Sequence, residues 1–178
     1  MITVLTATIP GREALLAECM DSTAAQTLPC LHLIELDSDY TGTGATLNRL
    51  LAHVETGWVA TLDDDDIAYP QHLATLHAHS DEGDVIYSYC DLEEDEIIVN
   101  RPFDEAALRR CNYIPHTALI RTSLLRELGG WPERYEQDRM LWLAMLDAGA
   151  RFVCVPEITW LYRNTPARKS HWNLQGAR

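Results

Sequence analysis

The first half of the chain alternates between short apolar runs and segments whose apolar residues keep helical spacing. Runs of strand type occupy Ile2–Ala7, Leu31–Leu36 and Trp58–Leu62. Between them, Glu13–Gln26 and Leu47–Val54 repeat their apolar positions every three or four residues, as one face of a helix requires. This order is typical of a parallel sheet, because parallel neighbours need a crossover connection. The sequence therefore predicts an α/β fold with a mostly parallel sheet flanked by helices.

The rest of the chain continues the pattern less regularly. It predicts further strands at Val85–Cys90, Glu96–Asn100, Thr117–Arg121 and Phe152–Val155, and helices at Pro70–Leu76, Asp104–Arg110, Ser123–Leu128 and Glu136–Ala148. The chain has 178 residues, 47% of them apolar, which fits one domain with a sizeable core. No linker or internal repeat divides it, so we expect a single domain.

Polar segments follow three of the predicted strands directly. They are Pro10–Arg12, Asp37–Asp39 and Asp63–Asp66. In open α/β sheets, ligands bind in the crevice outside the carboxyl ends of the strands. We therefore expect these three segments to meet in one crevice, which is the candidate functional site.

Four consecutive aspartates, Asp63–Asp66, follow the apolar run that ends at Leu62. Carboxyl groups have solution pKa values near about 4, so this is a block of negative charge at neutral pH. Such a block at the end of a buried strand is unfavourable unless a positive charge compensates it. Mg²⁺ and Mn²⁺ prefer carboxylate oxygens and often bridge a protein to phosphates. The alternative interpretation is a solvated acidic turn, because charged blocks usually face water.

Composition argues against several classes of protein. The formal net charge of −13 disfavours a protein that binds nucleic acid mainly through its phosphates. The five cysteines are odd in number and lack Cys-x-x-Cys spacing, which indicates neither a zinc site nor a disulfide framework. The N-terminus lacks the features of a signal peptide, and no apolar segment is long enough to span a membrane. The sequence therefore predicts a cytoplasmic protein without a membrane span.

Five stretches of the sequence, and the order in which they occur, resemble the motifs of a known family. They are TATIPGR, LIELDSD, GATLNRLL, TLDDDDIAYPQHL and LGGWPERYEQDRMLWLAMLDAGARFVCVPE. Over almost its whole length the chain resembles the family-2 inverting glycosyltransferases of the GT-A (Rossmann-like) fold. The resemblance implies a nucleotide-sugar-binding half at residues 1–100 and an acceptor and catalytic-base half at residues 101–164. The polar tail, residues 165–178, is a candidate lid.

The resemblance implies a metal-dependent donor site in the aspartate block. By position, Asp63 and Asp65 match the Asp-x-Asp motif that holds Mn²⁺ or Mg²⁺ and the diphosphate of the donor. Asp64 and Asp63 both remain candidates for contact with the donor ribose, and Asp66 is expected behind the metal ligands. Because the four aspartates are adjacent, the register is open by one residue. His171 in the tail is a further candidate metal ligand, and the alternative is a solvated side chain.

Further residues are implied as contacts of the donor. Asp37 matches a carboxylate that reads the nucleobase, usually uracil, although an aspartate there is often only a turn residue. Thr8, Pro10 and Arg12 lie in the loop that packs against the nucleoside, where this chain departs from the common Pro-Thr-x-Asn-Arg. Asn48 matches a helix asparagine of the family or is a helix-surface residue. The expected donor is a UDP-sugar.

Asp138 is the candidate general base that the resemblance implies. An inverting transfer needs a carboxylate that takes the proton of the acceptor hydroxyl. Alternatively, the helix dipole alone favours an acidic residue in the first turn of a helix. The family usually has Glu-Asp at this point, whereas this chain has Gln137 before Asp138. Trp131 is a candidate for lining the sugar pocket or a packing residue, and His116 is an acceptor-side candidate.

These features together predict a metal-dependent glycosyltransferase that moves a sugar from a nucleotide-sugar to an acceptor hydroxyl with inversion. In the tail, Arg168 and Lys169 are candidates to close over the diphosphate. The main alternative is a non-catalytic module that binds a nucleotide-sugar or a metal on the same fold, and a nucleotidyltransferase is a third hypothesis. The sequence leaves the sugar, the acceptor and the oligomeric state open; protein, glycan, nucleobase and metabolite are all candidate acceptors.

Overall fold

The computed structural model describes residues 1–92, 100–133 and 137–163, and one seven-stranded sheet runs through them. The strands are β1 (Ile2–Thr8), β2 (Cys30–Leu36), β3 (Trp58–Thr61), β4 (Ile67–Ala68), β5 (Val85–Leu92), β6 (Leu119–Arg121) and β7 (Phe152–Tyr162). Their order across the sheet is β2-β1-β3-β6-β5-β7-β4. β1 pairs in parallel with β2 and β3, and β5 with β7, whereas β6 and β4 are antiparallel to their neighbours. The predicted α/β fold with a mostly parallel sheet is confirmed.

Helices connect most of the strands and cover the sheet. In the described residues they are α1 (Glu13–Ala24), α2 (Thr43–Leu51), α3 (His72–His77), α4 (Glu105–Arg110), α5 (Thr122–Glu127) and α6 (Gln137–Asp147). α2 buries Leu47, Leu50 and Leu51, which share one face because they are three and four residues apart. Asp104 is the N-cap of α4, and its carboxylate accepts a hydrogen bond of 2.9 Å from the backbone N–H of Ala107.

Apolar side chains pack against both faces of the sheet. In β3, Trp58 and Ala60 belong to one buried cluster, and Val59 belongs to the other. In β5, Ile86 and Tyr87 divide between the same two clusters. Because successive side chains of a strand point to opposite faces, the central strands are covered on both sides. The ends of these strands are therefore held by a rigid core, which positions the loops that follow them.

Two strands differ from the prediction. β7 continues past Val155 to Tyr162, and its pairing with β5 is irregular around Pro156. Proline cannot donate to the ladder, so it is tolerated at such a bulge and does not end the strand. The short strand Ile67–Ala68 was not predicted, and it exists because β7 is long enough to pair with it.

Parts of two predicted elements lie outside the described residues. Of the predicted strand Glu96–Asn100 only Asn100 is described, and its amide forms hydrogen bonds of 2.8 and 2.7 Å with the backbone of Cys90. The helix predicted at Glu136–Ala148 is described from Gln137. Among the described helices, none combines the length and the apolar composition needed to cross a lipid bilayer.

Candidate functional site

Three strand ends meet at the edge of the sheet where β1, β2 and β3 finish. The backbone N–H of Asp37, just after β2, donates to the backbone oxygen of Thr8 at the end of β1 (2.8 Å). The hydroxyl of Thr8 donates to a carboxylate oxygen of Asp64, just after β3 (2.6 Å). The structure therefore brings the segments after these strands into one site, as their parallel arrangement requires.

The acidic loop, Asp63–Asp66, is mostly removed from water. Asp64, Asp65 and Asp66 are at most 2% exposed, while the side chain of Asp63 keeps 32% of its exposure. Burial of adjacent carboxylates is unfavourable unless positive charge or hydrogen bonds compensate it. The solvated acidic turn considered from the sequence therefore does not describe this loop.

Arg12, in the loop after β1, supplies positive charge to the acidic loop. Its guanidinium lies 3.0 Å from Asp64 and 2.5 Å from Asp65. Burial raises the pKa of Asp64 to about 6, and the hydroxyl of Thr8 and the charge of Arg12 only partly oppose this rise. Asp64 is thus held by Thr8 at the end of β1 and by Arg12 in the loop that follows.

Arg163, directly after β7, contacts the acidic loop as well. Its backbone N–H donates to Asp66 (3.1 Å), and its guanidinium donates to the backbone oxygen of Asp65. The same guanidinium pairs with Glu18 of α1 at 2.7 Å. Arg163 was not predicted as a site residue, because the predicted last strand ended at Val155. If the strand had been predicted to end at Tyr162, Arg163 would have stood out as a basic residue directly after a strand.

Three side chains of the acidic loop fit a divalent cation. Asp63, Asp65 and Asp66 each bring one carboxylate oxygen within 4.8 Å of the others. Hard cations such as Mg²⁺ and Mn²⁺ take ligands of this kind. Asp64 is not part of this group, and its carboxylate contacts Thr8 and Arg12. Asp66 was expected behind the metal ligands, but it lies with the two predicted ligands.

Asp37 organises the loop after β2. Its carboxylate accepts hydrogen bonds from the backbone and hydroxyl of Thr41 (2.8 and 3.0 Å) and from the backbone of Gly42 (2.8 Å). Burial works to raise the pKa of Asp37, but these hydrogen bonds outweigh it, and the pKa is lowered. Asp37 is therefore an ionised turn residue at the site, and its contact with a nucleobase stays a prediction.

Asp138, in the first turn of α6, approaches the acidic loop through His116. Nδ1 of His116 lies 2.8 Å from Oδ1 of Asp138, and Nε2 lies 3.9 Å from Oδ1 of Asp63. A single imidazole ring thus spans the space between the predicted base and a predicted metal ligand. The structure brings Asp138 to the site, and its role as base stays a prediction.

Asn48 and Trp131 contact each other. The amide of Asn48 donates to the backbone oxygen of Trp131 and accepts from its backbone N–H, both at 2.8 Å. The indole of Trp131 is 2% exposed and lies in the core that includes Leu47, Leu141 and Trp142. This pair holds the backbone of Trp131 against α2. The hydrogen bonds between Asn48 and Trp131 support the fold. A contact of either residue with the substrate stays a prediction.

We expect alanine to be far more disruptive at Gly130 than at Gly129. Both glycines have positive φ, +83° at Gly129 and +85° at Gly130, but only at Gly130 would a Cβ meet Asn48 Oδ1, at 2.2 Å. Gly129→Ala should lower the free energy of unfolding by about 1–2 kcal/mol, the cost of the left-handed conformation. Gly130→Ala should cost about 3 kcal/mol or more, because it also breaks the hydrogen bonds between Asn48 and Trp131. Urea denaturation measures both values, and equal losses would contradict this expectation.

The remaining predicted residues divide into two groups. Pro10 lies in an exposed turn after β1, and its contact with a nucleoside stays a prediction. The tail residues His171, Arg168 and Lys169 lie outside the described residues. Their roles as metal ligand and lid also stay predictions.

Several solved structures resemble this one. Residues 1–349 of TarS from S. aureus, in complex with UDP-GlcNAc, match 96% of this chain with a TM-score of 0.76 and 16% identity, and the chain spans 61% of that fragment. PcManGT, a mannosyltransferase from Pyrobaculum calidifontis in complex with GDP-Man and Mn²⁺, matches 97% of this chain with a TM-score of 0.74 and 14% identity. This chain spans 59% of that protein. Glucosyl-3-phosphoglycerate synthase from Mycobacterium tuberculosis, with Mn²⁺, UDP and phosphoglyceric acid, matches 96% and is covered to 73% (TM-score 0.69, 18% identity). This likeness confirms the expected GT-A fold.

Sequence comparison adds the family. No curated protein sequence matches the chain. The model described as glycosyl transferase family 2 matches residues 14–129, well over half of the 178 residues, including the acidic loop and His116. The chain therefore belongs to glycosyl transferase family 2, as its motifs led us to expect.

Proposed function

We propose that this chain is a metal-dependent, inverting glycosyltransferase that moves a sugar from a nucleotide-sugar, preferably a UDP-sugar, to an acceptor hydroxyl. The observation that supports it best is Asp138 facing the acidic loop, with His116 between them. Displacement at a sugar carbon needs a group that stabilises the leaving diphosphate and a base for the attacking hydroxyl. The two sides of this site offer these two groups.

The solved neighbours support a nucleotide donor and a divalent cation. UDP-GlcNAc is present with TarS, GDP-Man and Mn²⁺ with PcManGT, and UDP and Mn²⁺ with the glucosyl-3-phosphoglycerate synthase. In this chain, Asp63, Asp65 and Asp66 would hold Mn²⁺ or Mg²⁺. A cation bound there supplies positive charge that stabilises the diphosphate as it leaves.

The end of β1 and the loop after it also support donor binding, because Thr8 and Arg12 contact the acidic loop. Arg12 brings a guanidinium to 2.5 Å from Asp65 and is 16% exposed at its side chain, so it borders the space beside the carboxylates. Arginine forms strong, oriented hydrogen bonds with phosphate oxygens. Thr8 holds Asp64 at 2.6 Å and so keeps the acidic loop in its orientation.

Asp138 is suited to receive the proton of an acceptor hydroxyl. Its side chain is 28% exposed, so the carboxylate is open to solvent. It lies on a helix whose following turn is anchored in the core by Leu141 and Trp142, and a base on a rigid element keeps its geometry through the reaction. Attack by the deprotonated oxygen on the face opposite the diphosphate gives inversion.

A donor screen by mass spectrometry tests the proposed function. With Mn²⁺ or Mg²⁺, we expect at least one UDP-sugar to release UDP by transfer or hydrolysis, and a chelator to lower that rate by about 10²-fold or more. Saturable donor binding without turnover for any nucleotide-sugar would instead favour the non-catalytic module. Turnover that persists in chelator would contradict the metal requirement.

The acceptor is the part of the proposal that the site constrains least. The chain spans 61% of the TarS fragment and 59% of PcManGT. Much of those neighbours therefore has no counterpart here, and their acceptors are not transferred to this chain. A protein, a glycan, a nucleobase and a metabolite all stay open as acceptors, and a cytoplasmic location stays a prediction.

A further inference from the structure

His116 is held at the centre of the site by contacts of the backbone around it. Its own backbone oxygen accepts a hydrogen bond from the hydroxyl of Thr61, the last residue of β3. The backbone oxygen of Ile114, two residues earlier, accepts a hydrogen bond of 3.2 Å from the indole of Trp142 in α6. The segment before His116 is thus bound both to the strand that precedes the acidic loop and to the helix that carries Asp138. Its ring, 10% exposed, has little freedom to move.

The ring of His116 presents a defined nitrogen to Asp138. An ionised carboxylate only accepts hydrogen bonds, so the 2.8 Å contact between Nδ1 and Oδ1 requires a hydrogen on Nδ1. In the described part of the chain, Oδ2 of Asp138 receives no hydrogen bond. One oxygen of Asp138 is therefore fixed by the histidine, and the other is available to a substrate.

We propose that His116 is the positioning residue of the base: its Nδ1–H fixes Oδ1 of Asp138 so that Oδ2 takes the proton of the acceptor hydroxyl. This inference rests on the proposed function, because it requires Asp138 to be the base. A carboxylate in the first turn of a helix otherwise samples several rotamers. A general base held in one of them stays within hydrogen-bond reach of the acceptor, and misplacement by about 1 Å is enough to cost about 10²-fold in rate.

Matched substitutions of His116 separate this role from simple packing. The amide nitrogen of His116→Asn lies close to the position of Nδ1, whereas that of His116→Gln lies close to Nε2. We expect His116→Asn to keep kcat within about fivefold of wild type. His116→Gln and His116→Ala should lose about 10²-fold in kcat, with the KM for the donor changed by less than about twofold. Equal kcat in the asparagine and glutamine variants would overturn the proposal, as would a rise in donor KM without a fall in kcat.

The double variant distinguishes failure of this inference from failure of the proposed function. If Asp138→Asn abolishes transfer, adding His116→Ala should cost nothing further, because the two residues act as one unit. Transfer unaffected by Asp138→Asn refutes the base itself. Transfer abolished by Asp138→Asn but unaffected by His116→Ala refutes only the positioning role.

A spectroscopic test does not depend on turnover. Long-range ¹H–¹⁵N NMR of the full chain should show a hydrogen on Nδ1 of His116, and Asp138→Ala should change that ring's nitrogen shifts. His53, an exposed histidine after α2, serves as the control that Asp138→Ala leaves unchanged. A neutral ring of His116 with its hydrogen on Nε2 alone would overturn the proposal even if no substrate were known.

Discussion

Replacing Asp138 with asparagine should lower kcat by about 10²- to 10⁴-fold and leave the dissociation constants of UDP and Mn²⁺ within about threefold of wild type. Asparagine has the shape of aspartate, and its amide oxygen still accepts the hydrogen on Nδ1 of His116. The site should therefore keep its geometry but lose the proposed acceptor of the proton. Donor binding is spared because its proposed contacts lie on the acidic loop and Arg12.

For Asp138→Asn, steady-state kinetics measure kcat, and calorimetry measures the dissociation constant of UDP. The control is Asp147→Asn, which neutralises a carboxylate at the other end of α6, where Asp147 pairs with Arg109 at 2.9 Å. Its kcat should stay within about twofold of wild type, since surface ion pairs contribute little. Transfer by Asp138→Asn at the wild-type rate would show that the base lies elsewhere.

Replacing Asp65 with asparagine should raise the dissociation constant of Mn²⁺ and the KM of the donor by about 10²-fold or more. Asp65 is one of three carboxylates whose oxygens lie within 4.8 Å of one another. An amide offers the cation one neutral oxygen in place of an ionised carboxylate, and hard cations depend on the number of charged ligands. Because the donor diphosphate is proposed to bind through the cation, both constants should rise together.

Thermal unfolding with and without Mn²⁺ checks this result. For wild type, a Mn²⁺ concentration of about 100 times its dissociation constant should stabilise the fold by about 2.7 kcal/mol, and Asp65→Asn should remove that gain. Without metal, the stability of this variant should change by no more than about 1 kcal/mol, since losing the contact with Arg12 is offset by less repulsion from Asp64. Asp39→Asn, in an exposed part of the loop after β2, is the control. A full Mn²⁺ response in Asp65→Asn would place the cation outside the acidic loop.

The fold was predictable because its signals are local. Strands of five or six residues and helices with an apolar face are visible in short windows, and their alternation implies a mostly parallel sheet. The end of β7 was not predictable from the sequence, because its continuation past Pro156 depends on pairing with β5 and on a bulge in that pairing. The small strand β4 was missed for the same reason, since it exists only as the partner of β7.

The site was predictable as far as strand ends alone determine it. Thr8, Asp37 and the acidic loop had to meet once β1, β2 and β3 were parallel neighbours. The position of Arg163 beside Asp65 and Asp66 did not follow, because it depends on where a strand almost one hundred residues later ends. The place of His116 also depends on a distant contact, with Asp138. Such contacts are set by packing and leave no local pattern.

The order of the sheet has a consequence for how the molecule is assembled. β6, from the second half of the chain, lies between β3 and β5, both from the first half. During synthesis, β3 and β5 therefore leave the ribosome before the strand that joins them exists, and the central ladder has to wait for residues 119–121. We therefore expect that neither half folds independently. A gene fusion or circular permutation that places β6 far from β3 and β5 along the chain is expected to impair folding of the whole sheet.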